Sequence, residues 1–193
     1  MISWFRFYET LLAACEARRR QRWLSSLSLG VVARENVFAD LRAKYFEIPR
    51  PDWFPAPSTA DEPWGVIMEI GYPEAVVTTV AFTDGTASVL RSSGGGFFGG
   101  GTPETVQPAR GTFLSEAAKQ SGFLSPATTD FPQPVAGQVA FYVRTDGGVR
   151  SALSSEDELS SHAHPLSSLF SAGLRILHEY LELQKASDQR RNT

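Results

Sequence analysis

The residue types and spacings best suited to chemistry fall in one glycine-rich stretch: Gly94, Gly95, Gly96, Phe97, Phe98, Gly99, Gly100 and Gly101, followed by Thr102. Gly94-x-Gly96-x-x-Gly99 has the spacing of a dinucleotide-binding turn. That turn needs a parallel βαβ unit and an acidic residue about 20 positions further on, where this chain has Lys119 and Gln120. A looser reading keeps the anion: a strand, a glycine-rich loop and a helix starting at Thr102 can cradle a small anion on backbone amides. Each glycine held in an ordered element costs ~0.5–1 kcal/mol relative to alanine, so an ordered loop needs a reason such as positive φ or a close backbone approach. If the loop is open, Phe97 and Phe98 make an apolar tip suited to a partner surface. In a third reading both rings pack in the core.

His162 and His164 are the next constellation. On an extended segment they point the same way, as two imidazole ligands of a metal would, and Glu156, Asp157 and Glu158 precede them. No third ligand has telling spacing, so the competing reading is a solvated acidic loop leading into a helix opened by Pro165. Arg18, Arg19, Arg20 and Arg22, beside Trp23, form a basic cluster. Nucleic acid or an anionic lipid surface would use such a cluster, but arginines also complement the last turn of a helix. No nucleic-acid partner is expected of a chain with formal charge −3, and peripheral membrane contact is the lesser alternative. The chain has no Gly-x-Ser-x-Gly elbow, no His-Glu-x-x-His and no phosphate loop. Its one cysteine, Cys15, excludes a disulfide framework and sits on the apolar stripe of a helix.

The elements that would position these residues follow from periodicity. Ser3 caps a first helix with Trp4, Tyr8, Leu11, Leu12 and Cys15 on one stripe, and a second helix spans 31–46 with Val37, Phe38, Leu41 and Tyr45 on one side. Residues 49–63 hold Pro49, Pro51, Pro55, Pro57 and Pro63 and form a stiff strap, pinned by Trp53 and Phe54. From Trp64 the period becomes two, with Val66, Met68 and Ile70 alternating. Tyr72-Pro73-Glu74 and Asp84-Gly85 turn a three-stranded meander. A helix follows Thr102 to about residue 121, with Pro108 able to delay its start. Two strands over 137–145 and 149–153 meet at Asp146-Gly147-Gly148. The last helix carries Leu166, Leu169, Phe170, Gly173, Leu174, Leu177, Tyr180 and Leu181 at spacings of three and four.

The expected fold is therefore α+β: an antiparallel five-stranded sheet in the order β-β-β-α-β-β-α with helices on one face, preceded by two N-terminal helices. The organisation reads as a helical segment over 1–48, a proline-rich connector over 49–63, an α+β domain over 64–185 and a frayed polar tail over 186–193. At 193 residues with 42% hydrophobic and 20% charged side chains, the chain is long enough for one good core. The first 50 residues carry nine basic against five acidic side chains, and the remainder nine against sixteen. No apolar run reaches the ~20 residues of a membrane span, and the start lacks a secretory pattern. A cytoplasmic location is the expectation.

Gly65 to Pro73, the Ser92-Ser93-Gly94-Gly95-Gly96 run, and His164-Pro165-Leu166-Ser167-Ser168-Leu169-Phe170 resemble an uncharacterised group of bacterial proteins over 64–183. That resemblance implies a bacterial domain and carries no activity. The order of elements is similar, in topology alone, to that of the type III secretion chaperones, which dimerise and bind extended client segments. The expected function is a non-enzymatic interaction or adaptor module that binds a protein partner or a second copy and needs no cofactor. It would use a sheet edge, the Phe97–Phe98 tip or the aromatic N-terminal helix. The alternative is a small-ligand or anion-binding protein, or an enzyme, built on the glycine loop over 94–101.

Overall fold

The computed structural model describes residues 37–47, 49–97, 102–127 and 130–191. Helix α1 (Val37–Glu47) precedes strands β1 (Gly65–Gly71), β2 (Val76–Phe82), β3 (Ala87–Arg91) and β4 (Gly96–Phe97). Helix α2 (Gln107–Lys119), strand β5 (Ser125–Pro126), strands β6 (Gln138–Thr145) and β7 (Gly148–Ser155), and helices α3 (Glu156–Ser160) and α4 (Ser167–Arg191) complete it. The strands form one antiparallel sheet in the order β4-β3-β2-β1-β6-β7-β5. The meander and the β6–β7 hairpin lie where period-two alternation and the Asp-Gly turns place them.

Two features differ from the sequence expectation. The sheet has seven strands rather than five, because β4 and β5 add two-residue pieces at its edges. Pieces that short carry no alternation to read. The helices are not confined to one face. Val66, Met68, Ile70, Ala81 and Val89 meet Phe113 and Ala117 of α2, Leu166 just before α4, and Leu169, Phe170 and Ile176 of α4. The opposite face, with Ile67, Val80, Phe82, Leu90 and Tyr142, meets Leu41, Tyr45 and Phe46 of α1 and the strap residue Phe54. The helix expected from Ser3 lies outside the described residues, as does the start of the second. A 3-10 turn over Glu104–Val106 separates Thr102 from α2, so the α-helix proper begins at Gln107, just before Pro108.

Burial on both faces gives β1 and β2 uninterrupted buried runs of seven residues each. Along α4 the buried stripe passes through Ala172, Ile176 and Tyr180, leaving Leu181 exposed. Gly173 lets that helix approach the sheet, since a Cβ there would lie 2.7 Å from Met68 Sδ. The strap is anchored by Phe54, whose ring lies 5.9 Å from both Trp64 and Phe82.

One polar group sits in the middle of the second face. Glu69 of β1 is fully buried. Arg42 of α1 reaches it bidentately, Nε to Oε1 and Nη2 to Oε2, both at 2.7 Å, and Thr78 Oγ1 donates to Oε1 at 3.0 Å. The same Nη2 donates to the Phe131 carbonyl at 2.6 Å, so one guanidinium ties helix, strand and loop together. At the far end of α1, Arg144 of β6 donates from Nη1 to the Tyr45 carbonyl, at the negative pole of the helix. Its guanidinium carbon lies 4.3 Å from the Trp64 ring centroid. Burial pulls the Arg144 pKa down to about 10.

Removing one partner of a buried ion pair strands the other charge, at a cost of about 3–5 kcal/mol, whereas apolar replacement of both is often tolerated. Arg42→Ala should therefore lower stability in urea by about that amount, and Arg42→Met combined with Glu69→Leu should regain more than half of it. A second expectation concerns alkali. Burial pushes the hydroxyls of Tyr45, Tyr142 and Tyr180 up to about 12 from the ordinary 10. Below pH 10 both states hold these protons and the contribution is complete. As pH rises towards 12 the unfolded chain releases them first, so stability falls. Absorbance titration should show these three of the five tyrosines ionising together with loss of structure.

Candidate functional site

The glycine stretch divides on the structure. Gly94 and Gly95 form an exposed turn with φ of 97° and 87°, closed by hydrogen bonds from Gly94 N–H to Arg91 O and from Arg91 N–H to Gly95 O. Gly96 and Phe97 are β4. A Cβ at Gly96 would lie 2.2 Å from the Val89 carbonyl oxygen, which requires glycine there. The half-buried Phe97 ring stacks on Tyr180, 4.9 Å between centroids and 12° between planes. Phe98, Gly99, Gly100 and Gly101 lie outside the described residues. Thr102 Oγ1 accepts the Ala87 N–H at 2.7 Å, and the Tyr180 hydroxyl donates to the Ala87 carbonyl at 2.8 Å. Phe97 and Thr102 thus help finish the β3 edge of the sheet.

His162 and His164 are not adjacent in role. His162 is exposed, with φ of 59°. His164 is half-buried: its Nδ1 accepts the Leu166 N–H at 3.1 Å, its carbonyl accepts the Ser167 N–H at 3.0 Å, and its Nε2 meets Ser154 Oγ at 3.2 Å. An Nδ1 that accepts a proton donor leaves the neutral ring's own proton on Nε2, which then donates to Ser154. A serine nucleophile needs the reverse, an unprotonated nitrogen facing its hydroxyl. The pair therefore caps α4 and has the wrong tautomer to activate Ser154. Among the described residues no cluster of three His, Cys, Asp or Glu side chains is placed to hold a metal ion.

The acidic stretch before these histidines is a short helix. Ser155 Oγ accepts the Glu158 N–H and the Glu158 carboxylate accepts the Ser155 N–H, a reciprocal cap that starts α3. The Ser-x-x-Glu spacing was the available signal. Both histidines also face a cleft of about 490 Å³ between α2 and the start of α4, together with Thr112, Glu116, Ser167, Ser168, Ser171 and Arg175. Hydrogen bonds from Lys119 and Ser168 hold the Glu116 carboxyl below its usual range. Sequence periodicity could not find this cleft, because its walls come from residues 50 positions apart.

The two edges of the sheet differ. On the β3 side, Val89 and Leu90 pair with β4, and both main-chain groups of Ala87 are taken by side chains. On the other side, β5 pairs only with Arg150 and Ser151 of β7, and the Ala127 N–H reaches Val149 O. Strand alternation from Val149 aims the amide and carbonyl of Leu153 outward as well. The chain before β5 turns away in a 3-10 turn over Ser121–Phe123, and on the side away from its β6 partner Ala140 no described residue pairs with Leu153. The Ser155 N–H beyond it is held by Glu158. Leu153 is 58% exposed, and Phe123, abreast of it if the β5 register is continued, is 60% exposed.

Fold and site together define an α+β protein whose described residues form one antiparallel sheet with α2, α3 and α4 on one face and α1 on the other. No family model, curated protein or solved structure matches the chain. Among the described residues no helix is long and apolar enough to cross a membrane.

The role of His164 as a cap has a direct consequence. His164→Ala should destabilise the protein by about 1 kcal/mol, the usual cost of losing a helix cap. His164→Asn, which restores an acceptor, should lose less, with urea unfolding as the measurement.

Proposed function

We propose that this protein is a non-enzymatic interaction module that docks a partner along the open end of β7, and that the partner is a second copy of the chain. The observation that carries this reading is the contrast between the edges. The β3 edge is closed by Thr102, Tyr180 and β4, whereas Leu153 presents its main-chain groups and an exposed apolar side chain past the end of β5. An unpaired strand end is a template for another strand, with backbone hydrogen bonds supplying affinity and alternate side chains supplying selectivity.

Self-pairing suits this segment. Between Ser151, paired with β5, and Ser155, held by Glu158, residues 152–154, Ala-Leu-Ser, carry no charge, so two copies meeting antiparallel about Leu153 meet no like-charge repulsion. A two-fold arrangement is self-complementary by construction. Phe123, exposed beside the same edge, would enlarge the apolar contact.

Light scattering on the purified chain should report a dimer. Leu153→Lys should shift it to monomer while leaving the melting temperature of the monomer unchanged, because an exposed site contributes little to the fold. A wild-type monomer at about 100 µM, well above the Kd of a specific dimer, would overturn the proposal. So would a dimer indifferent to Leu153→Lys.

A further inference from the structure

The end of the sheet at Gly71 gathers carboxylates and exposed apolar side chains from three segments. The Tyr72-Pro73-Glu74 turn follows β1, the Gly137 N–H donates to the Gly71 carbonyl at 3.0 Å, and the Glu156 N–H donates to the Gly137 carbonyl at 2.9 Å. A Cβ at Gly71 would lie 2.1 Å from the Val135 carbonyl oxygen, so the loop before β6 presses on the same turn. Tyr72 is 37% exposed and Val135 65% exposed. Burial and the nearby charge of Glu156 raise the Tyr72 hydroxyl above its ordinary pKa, an effect that requires ring and carboxylate to be close. Glu74 and Asp157 are exposed and Glu156 is half-buried. Among the described residues none of these three carboxylates is paired with a cation. Arg91 is exposed at this end too, two strands away on β3.

Helix α1 brings the preceding chain to the same end. Arg42 binds Glu69, whereas the Tyr45 carbonyl is bound by Arg144, which pairs with Gly65 at the start of β1. Helix α1 thus runs antiparallel to β1, with its first residue, Val37, on the side of Gly71. Residues 1–36, outside the described residues, join there. They hold six basic and three acidic side chains, against 12 and 18 in the rest of the chain. Arg18, Arg19, Arg20 and Arg22 cluster among them, followed by Trp23. The 13 residues between Trp23 and Val37 can span about 3.3 Å each, so the cluster reaches the turn.

We propose that the Gly71 end of the sheet is a docking site for the chain's own N-terminal segment, with Arg18, Arg19, Arg20 and Arg22 against Glu74, Glu156 and Asp157, and Trp23 against Tyr72 and Val135. Single exposed ion pairs contribute little, so such a surface calls for a cluster of charges with an aromatic anchor. Arginine also stacks on aromatic faces such as that of Tyr72. Because the segment is tethered beside the patch, the encounter is intramolecular and needs no high affinity. The contact is independent of how the edge of β7 is used.

The test places a nitroxide at Gln21→Cys in a Cys15→Ser chain and reads amide NMR intensities of the full-length protein. The signals of Tyr72, Glu74, Val135 and Asp157 should be lost and should return when the nitroxide is reduced. Those of Thr83 and Asp146, at the opposite end of the sheet, should persist. Replacing the four arginines by glutamine should abolish the loss, as should Glu74→Gln combined with Asp157→Asn, both exposed changes. Broadening that is uniform, centred elsewhere or unchanged in these variants would overturn the proposal. Nitroxide chains mixed with isotope-labelled, tag-free chains separate one molecule from two. An equal loss in that mixture would seat a second copy's segment on the patch and would also overturn it.

Discussion

A buried carboxylate organises one face of this protein. Glu69 sits on the central strand of the sheet with no exposure to solvent, and an ionised carboxyl there is tolerable only if a cation and further donors reach it. Arg42 supplies the charge and Thr78 a hydroxyl. Because Arg42 belongs to a helix joined to the sheet through a proline-rich strap, the requirement of Glu69 fixes where that helix lies. Phe46 then stacks on Phe131, 4.3 Å between centroids, and meets Tyr142 edge-on at 5.0 Å. Tyr142 in turn donates to the Pro132 carbonyl at 2.6 Å, which pins the loop leading into β6. The apolar contacts supply area, while the ion pair supplies register.

The other face needs no such device. Its helices α2, α3 and α4 pack through aliphatic and aromatic side chains, while Tyr180 donates to the sheet edge and supports Phe97, and Arg110 of α2 donates to the Phe82 carbonyl at 2.7 Å. This division explains why the edges differ. Where α4 passes β3, its side chains reach over and close the edge. At β7 the nearest elements are the two-residue β5 and the cap of α3, and neither extends to Leu153. Exposure of that strand end is a consequence of where the helices run.

The polar residues that could suggest catalysis have structural duties instead. His164 and Ser154 approach within hydrogen-bond distance, yet the main chain fixes the imidazole tautomer in the wrong sense. Thr102, at the end of the glycine-rich stretch, spends its hydroxyl on Ala87. Such commitments are invisible residue by residue: Thr102 finds its partner 15 positions away on β3, and Ser154 reaches His164 from β7.

Local chemistry in the chain was enough to place the long strands, the Asp-Gly turns and the long last helix, because alternation, turn residues and helical spacing act over a few neighbours. It also placed Trp53 and Phe54 on a proline-rich strap, and the capping pattern at Ser155 was there to be read. The faces of the sheet were beyond that reach. Val66, Met68 and Ile70 announce one buried face, but Glu69 looks like a solvent-facing residue until α1 is known to cover it with Arg42. The two-residue strands, the open end of β7 and the cleft at the head of α4 likewise exist only once distant segments meet. Periodicity records which side of an element is apolar, whereas burial of charge, edge exposure and cavities are properties of pairs of elements, and only the tertiary structure chooses the pairs.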